Sequence, residues 1–200
     1  MYIGATPTLS SSSSMTAHFA LWRRLDTPGH DACLLDPAEG GWRLAGTAVY
    51  RHGDAPARLN YHVACDHAWR TVEGAVRGWV GEQAVELTVA RSTEGDWLLN
   101  GAPASGLDGC LDLDFGFTPA TNALQLRRLA LRLGEAAEVP VAWLDVPGGT
   151  LTRLDQHYRR TADEAYAYDA PRLDYRAVLD IAPSGFARRY PKLWEAECCI

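Results

Sequence analysis

Val85-Glu86-Leu87-Thr88-Val89-Ala90 alternates apolar and polar side chains, and Glu94-Gly95-Asp96, Trp97-Leu98-Leu99 and Asn100-Gly101 follow it. A period of two puts Val85, Leu87 and Val89 on one face of a half-buried strand. Glu94-Gly95-Asp96 reads as a tight turn, Trp97-Leu98-Leu99 as the return strand and Asn100-Gly101 as a second turn. Asn followed by Gly tolerates the positive φ angles that a two-residue hairpin needs. Outward from this hairpin, runs of the same kind cover residues 58–65, 69–78, 110–114, 139–146, 151–161, 175–181 and 186–190, punctuated by Gly, Asp and Pro. A meander of about nine or ten strands must curl or close to remove its edges. The fold class expected is mainly β, a curled antiparallel sheet forming a barrel or half-barrel, with little helix.

Two stretches qualify this picture. Leu124, Leu126, Leu129, Leu131 and Leu133 keep a period of two that slips at Arg127-Arg128. A bulged strand accounts for the slip, whereas the leucine content suits a helix. The strand is preferred, with a short helical turn near residues 118–122. Val85 to Pro103 and Leu173 to Pro191 both run strand, glycine-centred turn (Gly95, Gly185), strand, proline. This echo is consistent with an internal duplication, although any two hairpins share such an outline.

Composition sets the outer bounds. The 200 residues carry 19 basic and 25 acidic side chains, a net charge of -6, and are 47% hydrophobic. That is enough apolar surface for a core without disulfide or metal staples. The acidic balance argues against nucleic acid or an anionic membrane as partner. Lys192 is the sole lysine, so every other cation is an arginine fork suited to carboxylate or phosphate. No apolar run reaches the ~18 residues of a membrane span. Five cysteines at irregular spacing, with no CxxC pair, read as free thiols in a reducing compartment. The N-terminus shows neither the cationic nor the apolar region of a secretory signal. The expectation is a cytoplasmic chain with a disordered leader over residues 1–15 and a single β domain over 16–197.

Few residues group into chemistry. Cys65 and His67 would share a strand face, but no second pair completes a zinc site, so no metal or other cofactor is expected. Asp112 and Asp114 bracket Leu113, which puts both carboxylates on one strand face about 6.5–7 Å apart at Cα. That separation overlaps the spacing of inverting glycosidases. Pairing with Arg127 and Arg128, which follow soon after, accounts for the aspartates without catalysis. Cys110 has no base beside it that would make it a nucleophile. The seven Trp, eight Tyr and four Phe suggest a pocket that stacks sugars or holds acyl chains, or a large aromatic core.

The chain resembles the putative glycolipid-binding protein family, bacterial and formerly a domain of unknown function. The likeness lies in Leu107-Asp108-Gly109-Cys110-Leu111-Asp112-Leu113-Asp114, Thr118-Pro119-Ala120-Thr121-Asn122 and Arg127-Arg128-Leu129. It continues in Trp97–Gly101, Glu138–Trp143, Gln156-His157-Tyr158 and Tyr190-Pro191, so that it spans residues 16–196. The resemblance implies a curled sheet similar in outline to lipoprotein-carrier half-barrels, and binding of a glycolipid rather than its transformation. On this reading an apolar interior holding Val85, Leu87 and Leu113 takes the acyl chains. Asp112, Asp114, Asn122, Arg127, Arg128, Gln156 and Tyr158, at its mouth, and Trp143, in the interior, are the candidate ligand-binding residues. The partner expected is a glycolipid or other amphiphile. Two alternatives are an enzyme acting on a sugar or sugar-phosphate with Asp112 and Asp114 as acid/base pair, and a scaffold whose aromatic face packs on a partner.

Overall fold

The computed structural model describes residues 16–199, so the leader expected over 1–15 lies outside the described residues. The first eight strands follow one another as a meander: β1 (His18–Arg24), β2 (Gly29–Ala38), β3 (Gly41–His52), β4 (Ala55–Cys65), β5 (Thr71–Val80), β6 (Gln83–Arg91), β7 (Trp97–Leu99) and β8 (Ala102–Ala104). A short strand β9 (Asp112–Phe115) and the helix α1 (Asn122–Leu129) come next. A second meander completes the chain: β10 (Ala136–Asp145), β11 (Thr150–Ala162), β12 (Ala165–Ala170), β13 (Tyr175–Ile181), β14 (Ala187–Tyr190) and β15 (Trp194–Cys199).

These strands form one sheet in the order β8-β7-β6-β5-β4-β3-β2-β1-β15-β14-β13-β12-β11-β10-β9. The first and last strands pair antiparallel at its middle, with Ala20 opposite Cys199 and Trp22 opposite Ala196. The sheet curls without closing, so it is a half-barrel and not a barrel. All pairings are antiparallel except β9 with β10, which is parallel. The two echoing stretches each form a hairpin, β6–β7 and β13–β14, on opposite sides of the β1–β15 seam. Asn100 and Gly101, at φ 51° and 78°, make the two-residue turn expected of them.

Inward-facing side chains alternate along the strands: Leu35, Leu44, Leu59 and Val76 from one wing, Val141, Leu154 and Leu179 from the other, all at most 1% exposed. The concave face is not open to a ligand, because residues 107–131 fill it. Leu107, Cys110, Leu113, Phe115, Phe117 and Leu124 are buried there. Leu113 lies against Gly74 of β5, where any Cβ would overlap it. Thr71 clips the segment in place: its N–H donates to Leu111 O at 2.9 Å, and its hydroxyl accepts from Leu113 N–H at 2.9 Å. Phe115 and Phe117 stack at 5.5 Å, and both meet the edge of Tyr61. The apolar interior expected to take acyl chains is thus occupied by the chain itself.

The leucine-rich stretch is a correction. Residues 122–129 form α1 rather than a bulged strand, the turn before it at 118–121 is irregular, and Ala130 ends the helix at φ 44°. Inside the curl no neighbouring strand is available to pair, so the backbone must bond within itself, which a helix does and a lone strand cannot. Five consecutive residues, Asn122 to Leu126, are buried. His67 is also corrected: it stands in the β4–β5 turn, not on a strand with Cys65. The structure has fifteen strands rather than about ten, the additional ones being β1, β2, β3, β8, β12 and β15.

Leu113→Ala should lower unfolding free energy by about 3 kcal/mol in urea titrations, the cost of an interior cavity. Adding Gly74→Ala to it should cost less than the two single losses summed, because the new methyl enters the vacated space.

Candidate functional site

Asp112 and Asp114 share one face of β9, and α1 packs against that face. Arg128, in the last turn of the helix, grips Asp112 in a fork: Nε donates to Oδ1 at 2.9 Å and Nη2 to Oδ2 at 2.6 Å. Asp114 accepts from Thr121 Oγ1 at 2.5 Å and from Gln156 Nε2 of β11 at 2.9 Å. Tyr158 O–H donates to Gln125 Oε1 at 2.7 Å and accepts from Asn122 Nδ2 at 2.5 Å. Burial pushes both aspartates above the ordinary carboxylate range, while Arg128 pulls Asp112 back, and Thr121 and Gln156 do the same for Asp114.

Six of the eight candidate residues therefore meet in one cluster: Asp112, Asp114, Asn122, Arg128, Gln156 and Tyr158. Their polar groups are turned on one another and, apart from the edge of Arg128, away from solvent; Asp112 is 1% exposed and Asp114 7%. The cluster ties β9, α1 and β11 together. Neither carboxylate of the proposed acid/base pair faces an open cleft.

The other two candidates stand apart. Arg127 donates through Nε and Nη2 to Ser184 O at 2.9 and 2.6 Å. It also lies 5.0 Å from the ring centre of Trp69 and 5.8 Å from that of Trp42, which stack on each other at 4.3 Å. Trp69 has φ 65°, a costly conformation for a bulky side chain. Asp66 holds that turn, its Oδ1 accepting from the N–H groups of Ala68 and Arg70. Trp143 packs on Gly116 and carries the Arg172 guanidinium 5.0 Å from its ring centre. Among the described residues no group of three His, Cys, Asp or Glu is placed to hold a metal ion, and all five cysteines are free.

A trough of about 690 Å³ crosses β3 to β7 on the opposite, outer face of the sheet. Its floor is a cross-strand row of small residues with one imidazole: Ala45 opposite His62, His62 opposite Ala75, Ala75 opposite Thr88. One wall is the row Thr47–Asn60–Arg77 and the other contains Arg43 and Glu73. Thr47 Oγ1 donates to Asn60 Oδ1 at 2.9 Å, which engages the amide oxygen within the wall. Burial and the charges of Arg43 and Arg77 push the His62 imidazole below its ordinary range, against the opposing pull of Glu73. None of these residues stood out in the sequence. Singly each is an ordinary outward position, and only the register of five strands brings them together.

A separate buried group lies under β2. Asp31 is fully buried and accepts from Tyr61 O–H at 2.9 Å and from the hydroxyl of Thr118. Burial raises its carboxyl from an ordinary 3.8 to about 7.

Comparison with known proteins adds two findings. The family model described as putative glycolipid-binding matches residues 19–196. The crystal structure of a DUF1089 family protein from Pseudomonas aeruginosa is similar at a TM-score of 0.67 and 26% identity, covering 98% of each chain. No protein with a curated description matches.

Arg128→Met should destabilise the fold by about 3–5 kcal/mol, because it strands the buried Asp112 charge, and Asp112→Asn in the same chain should restore part of the loss. Chemical denaturation of the parent and the two variants checks this. The raised Asp31 carboxyl makes the native state hold a proton that the unfolded chain has released. Its contribution therefore falls as pH rises from about 4 to about 7. Melting temperatures across that window should fall less steeply for Asp31→Asn than for the parent.

Proposed function

The chain belongs to the putative glycolipid-binding family, and from that premise we propose that it binds a glycolipid on its curled sheet and leaves it chemically unchanged. A glycolipid sets hydroxyl groups beside a hydrocarbon chain, and its site must present both chemistries in one line. The row that floors the trough does so: it continues from Ala45 to Leu34 on β2 and Phe19 on β1. Leu34 and Phe19 are large apolar side chains left 42% and 44% exposed. This passage from a polar trough to an uncovered apolar strip is the observation that carries the reading. The volume, about 690 Å³, falls within the ordinary range for small-ligand sites.

On this reading the sugar lies over Ala45, His62 and Ala75, with Asn60 and Thr88 offering hydrogen bonds, and the chain runs along Leu34 and Phe19. The cluster around Asp112 and Asp114 serves the site indirectly, by fixing the interior segment against which the sheet curls. Residues 16–197 act as one binding unit. The free thiols support a cytoplasmic protein. No helix among the described residues is long and apolar enough to cross a membrane.

Titration calorimetry with hexyl, octyl and dodecyl glucosides tests the reading. Affinity should rise along the series by up to about 0.8 kcal/mol for each methylene covered. Leu34→Ser should flatten the rise, and the glucosides should be recovered intact. A series of equal affinities, or a hydrolysed glucoside, contradicts it.

A further inference from the structure

We propose that the headgroup this trough takes is an anionic sugar, one bearing a phosphate or carboxylate on a lipid. The inference rests on the glycolipid reading above and specifies its ligand. It starts from charge. The chain as a whole carries -6, yet the trough brings Arg43 and Arg77 together with Glu73, and Glu86 stands beside Arg77 outside the trough's lining. Guanidinium groups converging on one cleft of an acidic protein draw anions there.

The sheet register gives those charges a shape. Arg77 pairs across from Asn60, two residues before His62 on β4, while Arg43 pairs across from Ala64, two residues after it. The arginines are on the strands flanking β4, so they occupy diagonally opposite corners around His62. With strands about 4.8 Å apart and neighbouring same-face residues about 6.7 Å apart, each Cα lies roughly 8 Å from that of His62. Guanidinium arms of that length can close from both sides on a group held over the imidazole. Both arginine charges act on His62, in agreement with this placement.

Neither arginine is locked in a tight ion pair among the described residues. Arg43 has no carboxylate partner among the described residues. Arg77 reaches Glu86 at 3.4 Å, with both side chains about 70% exposed, a contact of little energetic weight. This contrasts with Arg128, whose fork is closed on Asp112. Two guanidinium groups, one of them only loosely paired at the surface, flank a row of small residues and match an oxyanion, which accepts from both in charge-assisted bonds. Glu73 and the Asn60 amide remain to bond sugar hydroxyls. The floor stays low because Ala45 and Ala75, on either side of His62, lack bulky side chains.

Calorimetry on the full chain at low salt would compare dodecyl glucoside, dodecyl glucoside carrying a 6-phosphate, and free glucose 6-phosphate. The phosphorylated amphiphile should bind at least tenfold more tightly than the neutral one, and added salt should shrink that preference. In Arg43→Gln/Arg77→Gln the preference should collapse to about one, with unchanged melting temperature. Equal binding of the two amphiphiles overturns the anionic headgroup and leaves the glycolipid reading standing. A preference that survives in the double variant overturns the assignment to this trough. Free glucose 6-phosphate binding as tightly as its dodecyl form overturns the lipid-borne ligand. Failure of both amphiphiles to bind overturns the glycolipid reading and this inference with it.

Discussion

Arg128 closing its fork on Asp112 inside the curl is the contact on which the remaining structure depends. A sheet of fifteen strands that curls without closing leaves a concave apolar face, and that face must be covered. The chain covers it with residues 107–131, which brings peptide groups and carboxylates where water cannot reach them. Each needs an internal partner. The helix answers for its own backbone, Thr71 for part of the strand before it, and Arg128, Thr121 and Gln156 for the two aspartates. Removing one partner leaves the other as a buried charge, which is why the cluster is worth more to the fold's integrity than a count of its bonds suggests.

With the curl filled, the proposed ligand site lies on the outer face. Carriers with a hollow half-barrel keep the acyl chain inside, whereas here Leu113, Phe115, Phe117 and Leu124 take that space. The outer face then becomes the side on which sheet shape is available. Small residues at Ala45 and Ala75 let the trough form there, while Gly46 and Gly74 face the interior, where the missing side chain of Gly74 admits Leu113.

Much of this was legible in the chain. Alternation at Val85, Leu87 and Val89 and the Asn100-Gly101 turn announced the hairpin, since a period of two and a positive-φ dipeptide are local signals. Leu124 to Leu133 was not legible, because its spacing suits either element and the choice depends on whether a partner strand lies alongside. The strands before His52 escaped notice because outward positions such as Ala32 and Ala45 do not contrast in hydropathy with inward Cys33 and Leu44. Asp112, Asp114, Asn122, Arg128, Gln156 and Tyr158 were picked out singly, and they do converge. Their mutual pairing, which turns them inward, is a tertiary fact. The same small residues that hid β3 produce the trough, so the site and the weakness of its signal have one cause.

The claim at the centre of this account is that the amphiphile lies on the outer face while the interior stays filled. A crystal structure of the protein with dodecyl glucoside bound tests it most directly. The account predicts the sugar over Ala45, His62 and Ala75, the chain along Leu34 and Phe19, and α1 unmoved. Density for the alkyl chain between Leu113 and Leu124, with α1 displaced from the curl, would contradict it.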